Sequence, residues 1–182
     1  MPTMLSHPAV PFAIAAMGGK DRISPLLLIV AVIASILPDI DVIGFRLGIP
    51  YHHWLGHRGF FHSISFAVLM GLIGMSFSKV FKVKPLIVFL VLFLSTVSHG
   101  LLDAITDGGL GIALLSPFSE KRFFFPWQPI SVSPLSLDRF FSARGWTVIR
   151  SELIWVWLPC LLLGISGIVF RKIRHVILKE AK

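Results

Sequence analysis

The sequence predicts an all-α fold: a polytopic membrane helical bundle of four to five apolar segments, the first short or re-entrant, with an aromatic-rich outer cap. Three observations carry this expectation. Mean hydropathy is +0.83, with 55% of the 182 residues apolar and only 14% charged, far from a soluble globular composition. The apolar residues gather into long continuous runs, and the basic residues collect in alternate connections between those runs. The same composition excludes a disordered chain and a disulfide scaffold, since Cys160 is the single cysteine and lies inside an apolar run, where it reads as a small hydrophobe.

The first run, Pro8 to Gly18, reaches only about 17 Å at the helical rise and is too short to span alone. Pro8 and Pro11 interrupt it, and Met1 to Ser6 carries no Lys or Arg. A cleaved signal peptide needs a basic start, so this N-terminus is expected to stay in the mature protein. The second run, Ile23 to Leu37, is also short, at roughly 22 Å. Phe60 to Phe77 forms the third run and Leu86 to Leu102 the fourth. The fifth, Leu153 to Phe170, reaches about 27 Å, close to a hydrocarbon core of about 30 Å. A single integral membrane domain over residues 1–182 is expected, with 104–150 as an outward interfacial region. That stretch carries Phe118, Phe123, Phe124, Phe125, Trp127, Phe140, Phe141 and Trp146 among several prolines, a composition suited to the headgroup level.

Charge orients the bundle. The net charge is +8, and crossing at each run divides it unequally. One face receives Lys20, Arg22, Lys79, Lys82, Lys84, Arg171, Lys172, Arg174, Lys179 and Lys182 against Asp21 and Glu180. The other face holds seven basic and seven acidic residues and sums to zero. This is the positive-inside bias, so the basic face, including the C-terminus, is assigned to the cytoplasm and no nucleic-acid partner is needed.

The neutral outer face collects six of the seven histidines: His7, His52, His53, His57, His62 and His99. Ionisable groups at the ends of membrane segments are costly unless paired or bound, so their segregation is a functional signal. His99 and Asp103 stand at i and i+4, on one helix face about 6 Å apart. Asp103 lies at a helix C-terminus, where the macrodipole disfavours an anion and a bound cation reverses the penalty. Asp39 follows Pro38 at the end of the second run, and Asp41 can aim a second carboxylate into the same space. His57 and His62 flank the entry to the third run, where a helix N-terminus favours the neutral, metal-binding imidazole. His7 precedes the first run and is a further candidate ligand. Glu152 opens the fifth as a first-turn acid or a base, while His52 and His53 read as solvated. Imidazole and carboxylate without thiolate favour a divalent metal, zinc in one or two ions, with manganese possible.

The segments Leu37-Pro38-Asp39-Ile40-Asp41, Gly56-His57-Arg58-Gly59 with His62-Ser63, His99-Gly100-Leu101-Leu102-Asp103 with Thr106 and Gly108, and Ser116-Pro117-Phe118-Ser119 with Arg122 together resemble the YdjM-type inner-membrane metal-dependent hydrolase family. The resemblance runs from Ser6-His7-Pro8 to about Arg122. It implies a multi-pass bacterial inner-membrane protein, a metal-dependent hydrolase with a remote similarity to zinc-dependent phospholipase C enzymes. Carried over by motif, His7, Asp39, His57, His62, His99 and Asp103 are the metal-site residues, with Asp41, Arg58 and Arg122 near the substrate. The expected chemistry is attack by metal-activated water on a phosphate or ester. Asp41 or Glu152 would accept a proton, and Arg58 and Arg122 would hold an anionic group. Ligands recessed below the headgroup plane favour a membrane lipid or lipid-linked phosphate or ester as substrate. Two other readings use the same residues: a metal or proton transporter, and a haem protein with His62 and His99 as axial ligands. The sequence leaves the oligomeric state open.

Overall fold

The computed structural model of the chain describes residues 1–134 and 140–180; the expected cap over 104–150 therefore falls partly outside the described residues. Its helices are α1 (Ala9–Gly18), α2 (Pro25–Ile36), α3 (Ile43–Arg46), α4 (Ile64–Ser76), α5 (Ser78–Phe81), α6 (Pro85–Ala104), α7 (Ala143–Glu152) and α8 (Leu158–Glu180). A 3₁₀ turn, Leu37–Val42, joins α2 to α3, a second, Phe60–His62, precedes α4, and a π turn, Leu153–Trp157, joins α7 to α8.

Local chemistry sets the helix starts. The Ser24 hydroxyl accepts from the Leu27 N–H at 3.3 Å and Pro25 occupies the first helical position of α2, both standard N-terminal devices. Ser63 caps α4 in the same way through the Phe66 N–H at 3.1 Å, and Pro85 opens α6.

Among the described residues three helices are long and apolar enough to cross a membrane: Pro25–Arg46, Pro85–Ala104 and Ala143–Glu180, with α1 and α4 shorter. The all-α membrane bundle expected from composition is thus the observed class. The second segment is longer than its apolar run suggested. Apolarity stops at Asp39, but the axis continues through the 3₁₀ turn into α3 to give 22 residues, because Pro38 sits in the first turn, where it lacks no needed N–H. The final helix likewise extends in both directions from Leu153–Phe170, over 38 residues.

Helix α6 is the centre of the bundle. Val88, Val91 and Leu92 pack with Leu27, Ala31 and Ala34 of α2, while α4 approaches its other side through small residues. A Cβ on Gly74 would lie 2.0 Å from Leu92 Cδ1, so the glycine is what admits the close crossing, as expected where lipid gives helices no hydrophobic drive to associate. Helix α1 packs against α8, with Gly164 facing Ala16. Leu161, Leu162, Leu163 and Phe170 of α8 remain exposed, as suits a helix turned toward acyl chains.

Candidate metal centre

The outer ends of α2 and α6 meet the Phe60–His62 turn and the segment before α1, and the contact buries an unusual set of polar side chains. His7, His99 and Asp103 are fully inaccessible, and Asp39, Asp41, Arg58 and His62 are buried. Unpaired charge in such a place is expensive, so the arrangement of these groups needs a compensating partner.

His62 and His99 face one another with their Nε2 atoms 3.1 Å apart. Asp39 Oδ1 lies 3.3 Å from His99 Nε2 and 3.9 Å from His62 Nε2. Asp103 Oδ2 lies 3.5 Å from His62 Nε2. Donor atoms bound at about 2.0–2.2 Å in a tetrahedral shell stand about 3.3–3.6 Å from each other. The His62, His99 and Asp39 atoms therefore come close to the mutual spacing that a shared cation imposes, and Asp103 adjoins them through His62 and, in a second group, through His99 and His7.

The opposite ring nitrogen fixes the tautomer of His99. His99 Nδ1 donates to the Ser35 carbonyl at 2.8 Å. A carbonyl only accepts, so Nδ1 carries a proton and the neutral ring keeps the Nε2 lone pair free. His62 Nδ1 lies 3.1 Å from Asp41 Oδ2, a carboxylate–histidine relation of the kind that orients metal ligands. Asp41 is itself held by the Arg58 N–H at 2.9 Å and by His57 Nδ1 at 2.6 Å.

His7 stacks on His99, ring centroids 3.8 Å apart and 16° from parallel. Burial, reinforced by the neighbouring His99, pushes His7 down to about 3, so its ring is neutral at physiological pH. Both His7 nitrogens, both Asp39 oxygens and both Asp103 oxygens are buried without a hydrogen-bond partner. Orphaned acceptors in this number are the signature of a site that a cation completes. Three overlapping groups have donor atoms within 4.8 Å of one another: His7, His99 and Asp103; Asp39, His62 and His99; and Asp41, His57 and His62. These buried His and Asp groups fit a hard or borderline divalent ion, with no thiolate in the set.

The expected site residues divide into two classes by their surroundings. His7, Asp39, His57, His62, His99 and Asp103 all enter one or more of the groups, and Asp41 joins His57 and His62 there. Arg58, 1% exposed, has Nε 3.1 Å from Asp103 Oδ2, close enough for charge pairing though off the line of an N–H bond. Its Nη1 donates to the Gly108 carbonyl at 2.7 Å. Arg122 and Glu152 have other partners. Arg122 donates to the Tyr51 carbonyl at 2.8 Å and to the His57 carbonyl at 3.0 Å, and it lies over the Tyr51 ring. Glu152 accepts from the Thr3 N–H, and from the Thr3 and Ser6 hydroxyls at 2.6 Å each. These contacts make it an anchor for the segment that carries His7. His53, by contrast, is exposed, its Nδ1 accepting from the Leu55 N–H.

Several contributors carry no chemical signal in the sequence. The Ser35 carbonyl, the Thr3 and Ser6 hydroxyls and the Gly108 carbonyl are ordinary groups that matter only by placement. Gly100 is the nearest to legible, lying between the i and i+4 ligands His99 and Asp103. A Cβ there would meet the His62 carbonyl oxygen at 2.5 Å, so glycine lets α6 approach the turn bearing His62. Gly109, at φ +101°, leaves room for Arg58 Nη1, which a Cβ would meet at 2.3 Å.

Comparison with known proteins supplies the family. The profile described as YdjM inner membrane protein matches residues 1–175. The chain belongs to the YdjM family. This YdjM-family chain is also similar to the inner membrane protein YbcI of Escherichia coli (strain K12), 44% identical over 164 residues that cover 90% of this chain and 95% of the relative. No solved structure matches it. Family, relative and helices agree on a multi-pass inner-membrane protein.

Proposed function

We propose that this YdjM-family protein is a membrane-embedded hydrolase that uses a divalent metal, zinc in one or two ions or else manganese, on a phosphate or ester of a lipid or lipid-linked substrate. The single observation that carries the reading is the buried triad of His62 Nε2, His99 Nε2 and Asp39 Oδ1 at 3.1–3.9 Å from one another, with Asp103 Oδ2 3.5 Å from His62 Nε2. His7 extends the shell beside His99. A cation held there supplies Lewis acidity, making water acidic enough to ionise near neutral pH and neutralising charge on a phosphate or carbonyl oxygen.

The chain's own residues supply the rest. The Ser35 carbonyl holds the His99 ring in the tautomer that presents Nε2, and the Asp41 carboxylate lies 3.1 Å from His62 Nδ1 on the far side of that ring. Asp41, bridged to His57, is the group placed to receive a proton and pass it outward, since His57 is the more accessible of the two. Arg58 opposes the negative charge of Asp103 and provides a fixed positive pole beside the shell. Arg122 braces the loops around His57 and Tyr51, so its contribution is to rigidity. Glu152 acts at a distance by seating Thr3 and Ser6 and hence His7.

Position supports a lipid substrate. Asp39 lies seven residues before the end of the Pro25–Arg46 segment, roughly 10 Å along the axis, and Asp103 one residue before the end of Pro85–Ala104, so the site sits below the outer helix ends, within reach of a lipid head drawn in from the leaflet.

The test is elemental analysis of detergent-purified wild type beside His99→Ala and Asp103→Ala, with turnover measured on phospholipids, polyprenyl phosphate and lipid esters. Bound metal and turnover in the wild type, lost together in both variants, is the expected result. Full metal content in both variants would overturn the site. Cleavage of a water-soluble ester alone would overturn the lipid substrate.

A further inference from the structure

Among the residues of the three candidate ligand groups, two have side chains that reach the molecular surface. The side chains of His62, Asp41 and Asp103 are 0% exposed, whereas Asp39 is 6% and His57 11% exposed. These two openings have opposite chemistry. His57 emerges beside Tyr51 and Phe45, ring centroids 5.5 and 5.7 Å away, among the loops that follow α3. Asp39 emerges on the wall of a groove of about 560 Å³ lined by Met1, Met4, Ile33, Ile36, Leu37, Ile40, Val42 and Ile43. Every other side chain of the groove is apolar, and both carboxylate oxygens of Asp39 lie buried behind its wall without a hydrogen-bond partner.

The groove's position says what medium it faces. Ile36 through Ile43 belong to the outer half of the membrane-crossing segment Pro25–Arg46, with Ile33 near its midpoint, and Ile33, Ile40, Val42, Ile43 and Met4 are exposed. Apolar side chains exposed on a spanning segment meet acyl chains. A groove of this volume, with apolar side chains around a single buried carboxylate, suits an amphiphile with one hydrocarbon chain and a polar head.

We infer that this groove is the lateral entry port: a hydrocarbon chain of the substrate enters from the outer leaflet between the Met1–Met4 segment and Ile33–Ile43, which brings its phosphate or ester head to Asp39. Water reaches the shell from the opposite side, past His57. The inference rests on the proposed hydrolysis for its consequence but not for its geometry. Ile40 and Met4 are then determinants of chain-length specificity, acting by volume and not by chemistry.

Two measurements on the full-length protein in lipid nanodiscs separate the port from the reaction. The first uses a photoreactive long-chain alkyl phosphate and maps the labelled peptides by mass spectrometry. Labelling concentrated in Met1–Met4 and Ile33–Ile43, lost in Ile40→Trp and in Met4→Trp but retained in the control Leu162→Trp on the exposed face of α8, is expected. Equal labelling of all lipid-facing helices, or labelling indifferent to Ile40→Trp, overturns the port. The second compares hydrolysis of a long-chain alkyl phosphodiester with its methyl analogue at matched metal content. Ile40→Trp should reduce the ratio of long-chain to methyl rate by roughly tenfold or more; equal loss on both overturns the port. Groove labelling without turnover of either ester by the wild type would refute the hydrolase and leave the port standing.

Discussion

Asp103 is asked to do two things, and a charge cycle separates them. Its carboxylate is fully buried, 3.1 Å from Arg58 Nε and 3.5 Å from His62 Nε2. Asp103→Ala leaves the Arg58 guanidinium, itself 1% exposed, without its counter-charge. Removing one partner of a buried pair costs about 3–5 kcal/mol. Arg58→Met instead leaves three aspartates, Asp39, Asp41 and Asp103, around the two histidines, and this cost is one that a divalent cation offsets. A metal that binds only the folded protein adds about 2.7 kcal/mol at roughly a hundred times its Kd. Thermal unfolding in detergent, with a chelator and then with zinc, should therefore show Arg58→Met destabilised in chelator and substantially recovered by zinc. Asp103→Ala should be destabilised in both conditions, with little or no zinc-induced shift. A wild-type zinc shift in Asp103→Ala would refute the assignment of Asp103 as a ligand, and failure of zinc to raise the melting point of the wild type would refute the cation site altogether.

Glu152→Ala orphans three buried or partly buried donors from Thr3 and Ser6; it should cost about 1–3 kcal/mol for each donor left unsatisfied. Because the same contacts seat His7, it should also weaken zinc affinity measured by competition with a chromophoric chelator; unchanged affinity would free His7 from the site. Gly100→Ala puts a Cβ 2.5 Å from the His62 carbonyl oxygen, so it should displace the turn bearing His62 and lower zinc affinity about 10–100-fold, as changes in the support of ligands do, whereas an unaltered affinity would show that the turn adjusts freely. His7 gives a pH dependence of defined sign. Its ordinary value of 6.5 is pushed down to about 3 by burial, so between these limits the unfolded chain binds a proton that the folded chain does not. The associated stability is complete above pH 6.5 and is lost progressively as pH falls toward about 3. In metal-free protein His7→Gln should flatten the melting-temperature decline over this range, and parallel declines would contradict the burial.

How far the sequence revealed the molecule can be judged from single residues. His99 and Asp103 were legible because helical spacing is local, so i and i+4 converge wherever the helix lies. Asp39 and Asp41 were legible because carboxylates after an apolar run must find partners. The charge division between faces was legible for a similar reason, since it depends only on order along the chain. Glu152 read as a first-turn acid or a base, whereas its partners Thr3 and Ser6 are 149 and 146 residues away, a distance no periodicity reports. Arg122 has the same history: its residue type suggested an anion, while its contacts are backbone carbonyls of distant loops. Segment length also escaped, because the hydropathy of the second run ended at Asp39 although the backbone did not turn. Sequence patterns measure what a side chain prefers, and here the helix continued past the preference in order to place two acids inside.

The clamp between Glu152 and the Thr3–Ser6 segment sets an order on how the protein is made. During biogenesis the first helix emerges early, but the residue that fixes the segment before it is supplied by the last long helix. His7 can settle against His99 only once that final element has been threaded and docked. A nascent chain therefore carries the histidines and aspartates of a half-built centre without the geometry to hold an ion firmly. A divalent ion taken up by these groups would be loaded as the closing act of assembly, after the last helix has docked.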